Sequence, residues 1–163
     1  VNAVSRNSQD GNRGAFLDMI AFSEIGPRLL AASDNGYDVI VGSTPAAPKL
    51  FDGYADHPRI LVDLGNGLKS TAAGRYQLLA RYFDAYRRQL GLPDFAPQSQ
   101  DLIALQQIRE RRALDDIDAG RISQAIAKVK NIWASLPGAG YGQHENNYHD
   151  LLLAYQYAGG MFS

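Results

Sequence analysis

The sequence contains no cysteine. Disulfides, thiol nucleophiles and thiolate metal sites are thereby excluded, and the redox compartment is left open. Glutamate is scarce too: Glu24, Glu110 and Glu145 are the only ones. No uninterrupted apolar run approaches the roughly 18 residues of a membrane-spanning helix. Val1 to Gly14 is polar and lacks the apolar stretch of a signal peptide. The formal net charge is −1, so no global field recommends nucleic acid or an anionic membrane as partner. Neither a Gly-x-Ser-x-Gly elbow nor a phosphate-binding glycine loop is present. His144 and His149 stand five apart, off a common helix face, and His57 precedes a proline. No metal site is expected from them.

What remains is ordinary globular material. A chain of 163 residues, 45% hydrophobic, is long enough to bury one sizeable core. Residues 1–13 read as a flexible polar lead-in and residues 14–163 as the folded domain. Ala15 to Glu24 is predicted helical and is stopped by Gly26-Pro27. Tyr37 to Gly42 is a strand candidate, rich in β-branched residues and fenced by glycines. A second short strand is placed near Leu50, after a loop that holds Pro45 and Pro48. From Gly74 the spacing of Tyr76, Leu79, Phe83, Tyr86 and Leu90 predicts an amphipathic helix ended by Gly91 and Pro93. Further helices are expected from Ser99 to about Arg112, from about Arg121 to Trp133 and from about Glu145 to Ala158. Leu136 to Gly140 is a turn. The pattern is a helical domain with a small irregular β insertion near its front.

Among the glutamates, one stands apart. Glu110 lies in the charged run Arg109 to Arg112. Glu145 falls at the expected start of the last helix, where the dipole favours its ionised form. Glu24 instead follows Leu17, Ile20 and Ala21 at seven, four and three residues, so its carboxyl emerges from the apolar stripe. It also sits in the C-terminal turn, where the dipole disfavours negative charge. Burial and dipole together predict a raised pKa, as a general acid near neutral pH requires. A structural glutamate that hydrogen-bonds the helix end satisfies the same pattern.

Longer motifs bring a resemblance. The segment AFLDMIAFSE (Ala15 to Glu24) resembles the opening helix of the lambda phage endolysin family. The likeness continues through GYDVIVG (Gly36 to Gly42), YADHPR (Tyr54 to Arg59), LKSTAAGRYQLL (Leu68 to Leu79) and DAYRRQLGL (Asp84 to Leu92). It runs on through SQDLIALQQI (Ser99 to Ile108) and NIWASLPGAGYGQ (Asn131 to Gln143). Roughly residues 14–160 are covered, with departures at Ile25 to Arg28 and around Ser43 to Leu50.

The resemblance implies an α+β, lysozyme-like fold, mainly helical with a small irregular β lobe. It implies a lytic transglycosylase that cleaves peptidoglycan between N-acetylmuramic acid and N-acetylglucosamine, with Glu24 as the essential acid. Asp38 is the candidate second carboxylate, on the segment where hen-type lysozymes keep theirs; capping of backbone amides competes as its role. Asp34 has a weaker claim, in the turn sequence Ser33 to Gly36. Gly74-Arg75-Tyr76-Gln77, expected to open the next helix, resembles the Gly-x-x-Gln signature of these enzymes. There Gln77 would read a sugar N-acetyl group; in the alternative it is an exposed first-turn residue. Tyr76 joins the glycan-binding set, although it also begins an apolar stripe and suits the core. Tyr141 resembles the tyrosine held beside the acid, where its ring can stack on a sugar; in the alternative it only closes a turn. Trp133 is assigned to the core.

No cofactor is implied, since acid cleavage of a glycosidic bond needs none. The expected partner is the peptidoglycan strand, and the expected state is a monomer. By resemblance the protein is made in the host cytoplasm and acts on the wall from the periplasm after a holin opens the inner membrane. Two other readings share these residues. One is a hydrolytic muramidase using Glu24 and Asp38, since hydrolysis usually needs two carboxylates about 5 to 9.5 Å apart. The other is a non-catalytic peptidoglycan-binding module.

Overall fold

The helix that ends at Glu24 begins earlier than local sequence predicts. In the computed structural model, which describes residues 11–140 and 144–163, helix α1 spans Gly11–Glu24. The last three residues of the expected lead-in are therefore helical. Distant partners account for this: Asn12 Nδ2 donates to the carbonyl of Ile117 at 2.9 Å, and the Arg13 guanidinium pairs with Asp118 at 2.8 Å. Leu17, Ile20 and Ala21, the residues that share a face with Glu24, are all buried.

Two units make up the described chain, with Ile25–Ile103 in one and α1 with Ala104–Ser163 in the other. In the first, Gly26 takes a positive φ of 85° and Pro27 opens the short helix α2, Pro27–Ala31. Tyr37 to Gly42 is not a strand. Asn35 and Gly36 are both left-handed, and Asp38 Oδ1 accepts the Asp34 N–H at 2.9 Å, which keeps the chain in turns up to Val39. What remains extended makes single antiparallel bridges, Val39 to Leu50 and Ile40 to Ala73. The expected strand near Leu50 is likewise one bridge residue. The regular sheet lies elsewhere, in β1 (Val62–Asp63) and β2 (Lys69–Ser70), antiparallel with Val62 opposite Ser70 and Asp63 opposite Lys69.

The segment Gly74 to Gln77 does not open a helix. It is a four-residue turn between Ala73 and Leu78, which bridge each other with N–H···O contacts of 3.1 and 2.9 Å. Gly74 (φ 85°) and Gln77 (φ 52°) both need the left-handed region. Helix α3, Ala80–Leu90, starts later because a side chain outside it supplies the cap: Thr71 Oγ1 accepts the Ala80 N–H at 3.0 Å. It ends at left-handed Gly91, as the sequence predicts. Helix α4, Pro97–Glu110, leads into the second unit. Ile40, Phe51, Ala73, Leu78, Phe83, Phe95 and Ile103 form the core of the first unit. Phe83 meets Phe95 edge-on at 5.0 Å.

The second unit adds α5 (Leu114–Asp118), α6 (Ile122–Val129) and α7 (Tyr148–Tyr157). The short α5 is absent from the sequence reading, and α6 stops four residues before Trp133. α1 packs against α7 and α5, and α5 against α6. Trp133 is buried, as expected. α7 starts after Asn147, whose side chain accepts the Asp150 N–H at 2.9 Å, so Glu145 lies outside the helix. The fold class read from the sequence, α+β and lysozyme-like with a small β lobe, is the observed one.

Candidate active site

Glu24 is the last residue of α1, and the apolar stripe that leads to it carries its carboxyl into protein rather than out of it. Part of its surface stays open. Burial nonetheless pushes the carboxyl up to about 7, against a smaller opposing effect from one hydrogen bond that stabilises the anion. That bond comes from Ser135, whose hydroxyl donates to Glu24 Oε2 at 2.9 Å. A carboxyl poised near neutrality can both give up a proton and take one back.

Three polar residues stand behind it. Ser135 Oγ lies 2.8 Å from Ser23 Oγ. Asn146 Nδ2 is 3.1 Å from both the carbonyl oxygen and the hydroxyl of Ser23, and the Asn146 N–H donates to the Ser135 carbonyl at 2.8 Å. One residue earlier, Glu145 accepts the N–H groups of Gly138 and Gly140 on its two oxygens, each at 3.0 Å. These backbone donors, not a helix dipole, hold its carboxyl below the usual range. Sequence reasoning missed Ser23, Ser135 and Asn146. Their only local signal was the adjacency of Ser23 to Glu24.

The first unit carries the remaining candidates. Asp38 is half-buried; its Oδ1 is engaged with the Asp34 amide and its own carbonyl accepts the Phe51 N–H. Amide capping, one of the two roles open to it, is therefore observed. Asp34 Oδ2 accepts the Tyr54 hydroxyl at 2.6 Å. Gln77 sits in the turn rather than on a helix, and its Nε2 donates to the Gly74 carbonyl at 2.8 Å. The same amide nitrogen also lies 3.4 Å from the Val39 carbonyl.

Tyr76 belongs to the interior. It is 5% exposed, and its hydroxyl donates to Asp101 Oδ1 at 2.5 Å. The Tyr37 hydroxyl reaches the same oxygen at 2.9 Å, while the Arg75 guanidinium lies over both rings, 5.3 Å from Tyr37 and 5.6 Å from Tyr76. Arg75, which no motif reading singled out, is itself buried. The ring and hydroxyl of Tyr76 are engaged inside the fold, the core position that its place in the apolar stripe also suits. Tyr141 lies outside the described residues. His57 is held at both ring nitrogens: Nε2 meets the Leu78 carbonyl at 2.8 Å and Nδ1 accepts the Arg59 N–H at 2.9 Å.

Comparison with known proteins agrees with these features. The Endolysin family model matches residues 14–162. The endolysin of Escherichia phage lambda is 57% identical over 152 residues, 93% of either chain. That of Escherichia phage P2 is 51% identical over 155 residues, 92% of this chain and 94% of its own. A solved structure of bacteriophage lambda lysozyme complexed with a chitohexasaccharide superposes with a TM-score of 0.86 at 54% identity. It covers 98% of this chain and 99% of that one. A second structure of the lambda lysozyme gives 0.79 at 53% identity, with the same coverage. A half-buried glutamate poised at neutrality, on a lysozyme-like fold matched over almost its whole length, makes this chain a member of the endolysin family.

Proposed function

We propose that this endolysin cleaves the β-1,4 bond between N-acetylmuramic acid and N-acetylglucosamine by lytic transglycosylation. Protonated Glu24 gives its proton to the glycosidic oxygen as the bond breaks and positive charge develops at the muramic acid C1. The resulting carboxylate then removes the proton of that sugar's C6 hydroxyl, whose oxygen closes onto C1. The product is a 1,6-anhydro-N-acetylmuramic acid end, and Glu24 is left protonated for the next cycle. No water is consumed and no second carboxylate is needed.

The observation that carries this reading is the Glu24 carboxyl itself, raised to about 7 by burial and bonded to the Ser135 hydroxyl. A group with that ionisation serves acid and base halves of one cycle with little bias toward either. The engagement of Asp38 with a backbone amide is consistent with a supporting role for it rather than nucleophilic attack. In this proposal Asp38, Gln77 and Tyr141 contact the glycan, and Tyr76 supports the turn that presents Gln77. A relative 54% identical to this chain was solved in complex with a chitohexasaccharide, which supports a glycan as the ligand. The same reading places the action on the cell wall, after release from the cytoplasm, by a monomer. No helix among the described residues is long and apolar enough to cross a membrane.

Mass spectrometry of soluble products from purified peptidoglycan tests the chemistry. Anhydro-muramic ends are expected; reducing N-acetylmuramic acid ends alone would establish the hydrolytic muramidase instead. A purified chain that releases nothing and only sediments with cell walls would be the binding module.

A further inference from the structure

The polar residues behind Glu24 form a chain with a direction. Ser135 has one hydroxyl proton and gives it to Glu24 Oε2 at 2.9 Å. In its 2.8 Å contact with Ser23 it must then accept, so Ser23 is the donor. Ser23, its own proton spent, accepts from Asn146 Nδ2 at 3.1 Å. The Asn146 amide also donates to the Ser23 carbonyl, and its backbone N–H is tied to the Ser135 carbonyl. An amide nitrogen can only donate and does not ionise near neutral pH. It therefore sets both hydroxyl rotors, from Asn146 through Ser23 and Ser135 to one oxygen of Glu24.

We infer that Ser135, aligned by Ser23 and Asn146, is a positioning residue that keeps Glu24 Oε2 an acceptor and so directs the transferable proton to Oε1. The inference rests on the reading of Glu24 as the acid and base. An oxygen that already accepts a hydrogen bond from an oriented donor is the poorer place for the carboxyl's own proton. Among the described residues no donor is bound to Oε1. The proton is thereby kept on the other oxygen, in the same place for the acid step and for its return in the base step. The donor also offsets part of the effect of burial, since it stabilises the anion that must exist between the two steps.

The test is the pH profile of kcat on purified peptidoglycan for the full chain, together with Ser135→Ala, Ser135→Thr and Glu24→Gln. Loss of a donor to a buried carboxylate destabilises the anion and should raise the pKa, so the alkaline limb of Ser135→Ala should move up by about one pH unit, with KM unchanged. Ser135→Thr keeps a hydroxyl and should retain the parent profile. A side-chain carboxyl 13C titration of Glu24 in labelled full chain should show the same upward shift without reference to activity. Should Ser135→Ala fail to fold, Ser23→Ala decides the matter, with a smaller shift in the same direction expected. An alkaline limb and carboxyl titration that stay where the parent's are would overturn the inference, provided Glu24→Gln is inactive. Parent-rate digestion by Glu24→Gln would instead overturn the assignment of Glu24, and the inference with it.

Discussion

The side-chain oxygen of Gln100 accepts the backbone N–H of Arg75 at 2.9 Å, and its amide nitrogen donates to the carbonyls of Tyr37 and Phe95 at 3.0 and 2.8 Å. One buried amide on α4 thus ties the Gly74–Gln77 turn to two other segments of the same unit. Gln100→Leu removes these bonds from three buried backbone groups and should cost about 2–4 kcal/mol of stability. Chemical denaturation would read this as a lower midpoint with an unchanged slope. If Gln77 contacts the glycan, the surviving folded fraction should also show a raised KM. A variant as stable as the parent would mean that the amide network contributes nothing.

Glu24→Gln should abolish wall digestion, because the amide neither gives nor regains a proton under these conditions. Clearing of a peptidoglycan suspension or a zymogram measures it directly. Digestion at the parent rate would refute the assignment of Glu24.

The same substitution should stabilise the protein at alkaline pH. The folded-state pKa of Glu24 is raised, from an ordinary 4.5 to about 7. Its favourable contribution is complete below the unfolded value and is lost as pH rises through the folded one. Above pH 7 the parent must fold around a poorly solvated anion, while the amide that replaces it in the variant remains neutral. Allowing for the part of the side chain that water reaches, the variant should gain about 2 kcal/mol at pH 8 relative to its difference at pH 5. Thermal melts at the two pH values supply the comparison, and an equal difference at both would contradict a raised pKa.

Turnover should fall on the alkaline side with a midpoint near the Glu24 value of about 7, since the first step needs the protonated carboxyl. A profile flat from pH 6 to 9 would show that another group delivers the proton.

Glu145 clasps Gly138 and Gly140 through two backbone N–H groups. Glu145→Ala should accelerate hydrogen exchange at both amides at neutral pH while exchange within α1 stays slow. The parent should lose this protection as pH falls through the lowered carboxyl pKa, because the protonated acid is a weaker acceptor. Unaltered exchange in the variant would show that the clasp does not hold in solution.

Much of the helical framework was legible from residue order alone. The end of α1 at Glu24, the burial of Leu17, Ile20 and Ala21, the stop at Gly91 and the buried Trp133 all follow from periodicity and local breakers, which act over one or two turns. The boundaries that were misread have partners far away in sequence. Asn12 and Arg13 extend α1 by binding α5, and Thr71 caps α3 from nine residues upstream. Tyr37 to Gly42 has β-branched composition, yet its left-handed neighbours and the side chain of Asp38 hold its first part in turns. Composition reports a preference for extended backbone and cannot report that competition.

For the site, the sequence determined which carboxyl is set apart: the spacing of apolar residues before Glu24 dictates the face from which it projects. Its neighbours were decided by tertiary structure. Ser135 reaches Glu24 across 111 positions and Asn146 reaches Ser23 across 123, and no local rule links residues so far apart. Tyr76 shows the same limit from the other direction, since only the folded chain shows its hydroxyl spent on Asp101. Periodicity fixes a direction on a helix, whereas a hydrogen bond needs two groups brought within about 3 Å by the packing of everything between them.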